Sequence, residues 1–159
     1  MFKIGIGTDI HRLVAGRPLI LGGVAIKSDL GADGHSDADA LIHAATDALL
    51  GAMALGDLGS HFPNDEERWR NAESSIFLRY ALGLVKERGY TVSNLDSTIS
   101  LEKPILRPYI DEMRENLAIA LEVETSCVSV KAKTSEKVDA VGELRAVRAD
   151  AIVLISKQI

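Results

Sequence analysis

The longest apolar stretch of the chain, Ala38 to Leu55, carries Asp39, His43 and Asp47 within it. Leu41, Ile42, Ala45, Leu49, Leu50 and Met53 recur there at helical spacing, and Gly56 ends the run. Ionisable groups in the middle bar it from facing lipid, so it reads as a helix of a folded core. The hydrophobic period changes on either side. Phe2-Lys3-Ile4-Gly5-Ile6-Gly7 alternates, which predicts a strand with one buried face. Leu19-Ile20-Leu21 and Val24-Ala25-Ile26, around Gly22-Gly23, read as a short strand with a turn or bulge. A second helix is expected from Asn71 to Arg88, with Ile76, Leu78, Tyr80, Leu82 and Val85 apolar and Gly89 closing it. Asn94 to Glu102 alternates cleanly, and Leu106 to Leu121 reads as a third helix begun near two prolines. Val128, Val130 and Ala132 suggest a strand, and Ala149 to Ile155 a well-buried last one. The order β-β-α-α-β-α-β-β predicts an α+β fold, a small mixed sheet with helices on one face, as a single domain over residues 1–159.

Aromatic residues supply only 4% of the chain, so its core must be aliphatic. Lys and Arg number 18 against 23 Asp and Glu, a formal charge of -5, which argues against a nucleic-acid partner. Cys127 is the one cysteine, so neither a disulfide nor a Cys-x-x-Cys pair is available within the chain. A basic leader followed by an apolar core is missing at the N-terminus, and no membrane partner is expected; a cytoplasmic location follows by default.

Chemistry concentrates at Thr8-Asp9-Ile10-His11. Residues two apart on a strand share a face, so Asp9 and His11 sit side by side where the first strand meets a loop. A carboxylate and an imidazole suit a divalent metal such as zinc, although such a pair alone is more often an incidental polar rim. His43 is the natural third ligand. Asp39 and Asp47, four residues away on either side, share its helical face and are expected to orient its ring. For His43 alone, a core histidine bonded to a carboxylate is the commoner reading. His35 precedes the helix, because Ser36-Asp37-Ala38-Asp39 reads as a capping box, and it is better placed to touch a substrate. Three ligands would leave one tetrahedral position open, as in catalytic zinc sites. Lys131-Ala132-Lys133-Thr134-Ser135-Glu136 is either a solvated strand end or a phosphate and hard-cation site. Gly5-x-Gly7 lacks the third glycine of a dinucleotide fingerprint and reads as a strand against which something packs closely.

Several motifs together carry a resemblance. They are Gly7-Thr8-Asp9-Ile10-His11-Arg12, Leu21-Gly22-Gly23-Val24, Gly34-His35-Ser36-Asp37-Ala38-Asp39, the run His43 to Ala52, Leu55-Gly56-Asp57-Leu58-Gly59, His61-Phe62-Pro63 and Lys131 to Glu136. From residue 2 to the C-terminus the chain resembles the 2-C-methyl-D-erythritol 2,4-cyclodiphosphate synthase family of the non-mevalonate isoprenoid pathway. The resemblance implies a phosphorus–oxygen lyase acting on 4-diphosphocytidyl-2-C-methyl-D-erythritol 2-phosphate. The substrate's 2-phosphate attacks the β-phosphorus, CMP leaves and a cyclic diphosphate closes. It implies zinc, or another divalent transition metal, on Asp9, His11 and His43, and magnesium or manganese bridging the phosphates near Glu136. His35 and Thr134 match the positions credited with stabilising the transition state. Ser36, Asp57 and Gly59 match the erythritol-phosphate region, flanked by the loop Phe62, Pro63, Asn64, Asp65 and Glu66, and the resemblance also counts Asp9, Ile10, His11, His35 and Leu58 among the substrate-binding positions. Leu101, Glu102, Lys103, Pro104, Ile105, Leu106 and Arg107, with Lys133, Thr134, Ser135 and Glu136, match the cytidine and diphosphate contacts. The family is a homotrimer whose active sites lie between adjacent subunits.

Two departures stand out. Asn64 replaces the Asp expected after Phe-Pro, at a contact position. After Glu136 the family's usual Gly-Arg-Gly-Glu-Gly becomes Gly142-Glu143-Leu144-Arg145-Ala146, with the charges exchanged. That exchange argues against an isoprenoid diphosphate in the trimer's axial cavity and favours a Glu143–Arg145 pair. A zinc-dependent phosphohydrolase on the same scaffold, and a metal-containing nucleotide-binding module without turnover, are the alternatives.

Overall fold

The computed structural model describes residues 1–157, and its first strand, β1 (Phe2–Ala15), runs well beyond the expected Gly7. Asp9 and His11 therefore lie inside β1, on the face that carries Gly5, Gly7 and Leu13. Next come three short strands, β2 (Leu19–Leu21), β3 (Val24–Ile26) and β4 (Leu30–Ala32), where the sequence suggested one. β2 and β3 form a separate two-stranded hairpin whose turn glycines, Gly22 and Gly23, both take positive φ.

The helices α1 (Ala40–Ala52), α2 (Leu58–His61) and α3 (Ser75–Glu87) lead to β5 (Tyr90–Ser100). Then follow α4 (Ile110–Leu121), β6 (Val128–Lys133), α5 (Asp139–Gly142) and β7 (Ala146–Lys157). The main sheet has the order β4-β1-β7-β5-β6. All its pairs are antiparallel except β5–β6, which is joined through α4 and is parallel, so the sheet is mixed. Helices α1, α3 and α4 form a layer against it: α1 lies on β1 and β7, α4 on β6, and α3 touches both helices.

The core between these layers is aliphatic, with Leu41, Leu49, Leu50, Leu78, Leu95, Ile99, Leu117 and Ile155 wholly buried. Two expected helices begin late. Residues 71–74 form a loop before α3, and Arg107–Tyr109 form a 3-10 turn before α4, where Pro108 leaves no backbone donor.

β1 reverses the usual assignment of faces. Its glycines face α1, and its apolar side chains Phe2, Ile4 and Ile6 stand 70%, 68% and 66% exposed. A Cβ on Gly5 would sit 1.9 Å from the Ala48 carbonyl oxygen, and one on Gly7 2.0 Å from that of Ala44. The missing side chains let the α1 backbone lie directly on the strand. That close approach, expected from Gly5-x-Gly7, brings His43 to the level of Asp9 and His11.

Candidate metal centre

Asp9 Oδ2 lies 2.8 Å from His11 Nε2 and 3.1 Å from His43 Nδ1, and the two ring nitrogens are 3.1 Å apart. These three atoms form a nearly equilateral triangle. Donors bound to zinc at 2.0–2.1 Å in a tetrahedron are separated by about 3.3 Å, so the set fits a divalent metal with one position open. Each donor is aimed from its own element. The His11 Nδ1–H donates to the Asp33 carbonyl oxygen at 2.7 Å, which leaves Nε2 as the lone pair facing Asp9. His43 hangs from α1, and its Nε2 meets Ser74 Oγ at 2.8 Å and Ser36 Oγ at 3.3 Å.

Charge in the cluster is coupled. Burial pushes the Asp9 carboxyl up, but hydrogen bonds and charge from His11 and His43 win and hold it well below the usual carboxylate range. Burial works against a charged His11, yet the Asp9 carboxylate and the Asp33 carbonyl outweigh it and raise the imidazole above its ordinary 6.5. Without a metal, the Asp9 carboxylate favours a proton on His11, where a cation would otherwise sit.

Two expectations need correction. Asp39 and Asp47 do not orient His43. The Asp39 carboxylate accepts from the backbone N–H groups of Gly22, Gly23 and Ile42, and Asp47 accepts from Leu58 N–H at 2.6 Å. Nor does Ser36 open a capping box: Asp39 caps α1, and Ala38 at φ 56° turns the chain just before it. Sharing a helical face with His43 gave the two carboxylates proximity, but unpaired backbone donors nearer to each claimed them first.

The triad lies in a cavity of about 450 Å³ that also gathers Asp33, Gly34, His35, Ser36, Asp47, Asp57, Leu58, Gly59 and Asn64. His35 Nε2 is 2.9 Å from the Glu66 carbonyl oxygen, which ties the loop after α2 to this cavity. Phe62 is buried beneath that loop against Trp69, Phe77 and Tyr80, while Pro63 and Asp65 line none of the cavities described. A second cavity, of about 420 Å³, is lined by Leu101, Glu102, Pro104, Ile105, Leu106, Arg107, Lys133 and Thr134 among others, and it shares no residue with the first. At its rim Thr134 Oγ1 donates to Glu136 at 2.6 Å, and Ser135 N–H donates to the Glu102 carboxylate at 3.1 Å. Lys103 lines neither cavity, and Ile10 faces a third one with Arg12 and Arg145. Arg145 forms the expected ion pair with Glu143, Nε to Oε2 at 2.8 Å.

Sequence did not single out Ser74 or Asp33, and it read Asp37 only as part of a capping box rather than as a partner of Ser74. Their partners are 22 to 37 residues away, and no local spacing rule spans such a gap.

Known proteins resemble this chain in sequence and fold. A curated relative from Salinibacter ruber, named 2-C-methyl-D-erythritol 2,4-cyclodiphosphate synthase, is 53% identical over 153 residues, covering 96% of this chain and 98% of its own. A CDP complex of IspF from Plasmodium falciparum superposes with a TM-score of 0.88 at 32% identity, over 99% of this chain and 97% of that one. The bifunctional IspDF from Campylobacter jejuni gives a TM-score of 0.95 at 34% identity, over 99% of this chain but only 43% of that longer one. A model of the YgbB family matches residues 2–156, and on this evidence the chain belongs to the YgbB family.

Proposed function

We propose that this chain is a 2-C-methyl-D-erythritol 2,4-cyclodiphosphate synthase. It converts 4-diphosphocytidyl-2-C-methyl-D-erythritol 2-phosphate to the cyclic diphosphate and CMP. The observation that carries the reading is the triangle of Asp9, His11 and His43 donors on an open cavity, in a chain whose relatives bear that name. The reaction is an intramolecular phosphoryl transfer, so the protein's task is positioning and charge neutralisation rather than nucleophilic attack. A divalent ion such as zinc on the triad, and magnesium or manganese beside the exposed Glu136 carboxylate, would neutralise phosphate oxygens and polarise the phosphorus under attack.

The chain's own residues divide the remaining work. His35 and Ser36 line the triad's cavity, where Ser36 holds the erythritol phosphate and His35 stabilises the charge that develops in the transition state. Asp57, Leu58 and Gly59 line the part of the cavity that takes the erythritol, and Asp57 is pre-set by accepting from Ser60 N–H and Oγ–H. Residues 101–107 hold the cytidine against the apolar wall formed by Leu101, Ile105 and Leu106. Lys133 and Thr134 bind the diphosphate, and Thr134 donates to oxygen charge that develops in the transition state.

We read residues 1–159 as a single such domain acting in the cytoplasm as a homotrimer. Each active site joins the triad's cavity of one subunit to the nucleotide cavity of the next. Two features support this assembly. The two cavities share no lining residue, and the outer face of β1 and β7 exposes Phe2, Ile4, Ile6 and Ile152 in one apolar patch.

The test is product analysis. Substrate incubated with the protein, zinc and magnesium should give CMP and a cyclic diphosphate; linear products alone would overturn the proposal. His43→Ala should lose most bound zinc and activity while remaining folded, and unchanged zinc content would return His43 to a structural role.

A further inference from the structure

Helix α3 begins without a side-chain cap. Ser74 holds its N-cap position, where a serine hydroxyl ordinarily accepts from the N–H of the second or third helical residue, and no such bond forms. The hydroxyl is wholly buried and meets two other groups instead: the Asp37 carboxylate, through Oδ1, and His43 Nε2 at 2.8 Å. Asp37 is itself held fast. Its Oδ1 accepts from Asp39 N–H at 3.2 Å and its Oδ2 from Ser74 N–H at 3.0 Å. The loops carrying the two residues are stitched together by Asn71 N–H to the His35 carbonyl and Asp37 N–H to the Ala72 carbonyl.

Proton counting gives this chain of contacts a direction. A hydroxyl has one hydrogen, and an ionised carboxylate only accepts, so the Ser74 hydrogen points at Asp37. What Ser74 turns toward His43 is a lone pair, and Nε2 must supply the hydrogen. A neutral imidazole protonated at Nε2 carries its lone pair on Nδ1, the atom 3.1 Å from both Asp9 Oδ2 and His11 Nε2. For His11 a backbone carbonyl performs the same service from the other ring nitrogen. Ser36 Oγ is a poorer partner for His43, at 3.3 Å and already accepting from Ala38 N–H.

We propose that Ser74 and Asp37 are positioning residues for the metal centre: Asp37 aligns the Ser74 hydroxyl, and Ser74 holds His43 in its Nε2–H form with Nδ1 presented to a divalent cation. This rests on the metal-site reading above, and its tests separate the two. In zinc-loaded protein labelled with 15N-histidine, long-range proton–nitrogen correlation should show His43 bound through Nδ1 with a slowly exchanging Nε2–H. Binding through Nε2 would overturn the proposal without recourse to any variant. Ser74→Ala should keep a cooperative thermal transition but bind zinc 10–100-fold more weakly in chelator competition, the usual loss for an outer partner of a ligand, and Ser74→Thr should restore it. A lower melting temperature with unchanged zinc affinity would mean that Ser74 serves the fold alone, and would overturn the assignment. If the unsubstituted protein fails to bind zinc, the metal-site reading falls first and this one with it.

Discussion

Asp39 is the one wholly buried carboxylate among the described residues, and its place is set by three backbone donors rather than by a cation. It joins the Gly22-Gly23 turn to the first turn of α1, and so locks the hairpin to the helix that bears His43. Burial pushes its carboxyl up to about 6, against the downward pull of the three N–H groups and with a small upward push from Asp37. A carboxyl raised above its ordinary 3.8 takes up a proton more readily in the folded state than in the unfolded one. Its contribution to stability is therefore greatest below about pH 4 and declines as pH rises to about 6, by on the order of 3 kcal/mol. Asp39→Asn should be less stable overall, because its amide sets N–H₂ against a backbone N–H. It should also flatten the fall in the urea midpoint between pH 4 and 6.5. An undiminished slope in the variant would show that other groups carry the pH dependence.

At the scale of elements, the contact that builds the site is α1 lying on the glycine face of β1. Gly7→Ala would drive a methyl to 2.0 Å from the Ala44 carbonyl oxygen, and backbone cannot swing aside as a flexible side chain can. The expected result is destabilisation by about 3 kcal/mol or more, with zinc affinity lost alongside, since His43 rides on the same helix. Calorimetry and zinc titration would check both; a variant with a normal melt would show that the helix can lift without cost. Close packing was legible in advance from two glycines at strand spacing, although not that α1 is the element that packs there. The direction of the strand's faces was not. Alternation tells which residues share a face, and it leaves open whether the apolar or the glycine face meets the helix. β4, three residues long, is too short for alternation to announce it, whereas the Gly22-Gly23 turn marked the segments of β2 and β3 on either side of it. Strand periodicity put Asp9 and His11 on one face, but His43 lies 32 to 34 residues away and joined them through its ligand chemistry and the resemblance rather than through spacing. Ser74 had no such signal, because a loop pairing of residues 35–37 with 71–74 brings it to His43.

A single chain leaves an exposed apolar sheet face, and a cavity lined by residues 101–107 and 133–134 that is separate from the Asp9, His11 and His43 triad. The proposed trimer would account for both. If the β1–β7 faces of three copies meet around an axis, the apolar patch is buried, and the triad of one subunit can abut residues 101–107 and 133–134 of its neighbour. Ile6→Glu, set in the middle of that face opposite Ile152, should then reduce the particle from three times the chain's 17.1 kDa to a monomer, with loss of turnover. Monomerisation with full activity would contradict a shared site. A sharper measurement leaves the interface intact. His43→Ala disables the metal half of every site it contributes to, and Thr134→Ala disables the nucleotide half. Each homotrimer should be nearly inactive. Co-expressed in equal amounts, the two variants assemble at random, and a site is whole only when its metal half comes from the Thr134→Ala chain and its nucleotide half from the His43→Ala chain. Each condition holds half the time, so about a quarter of the unsubstituted activity should return. Sites built within one chain would return none, because every chain then carries one defect into its own site.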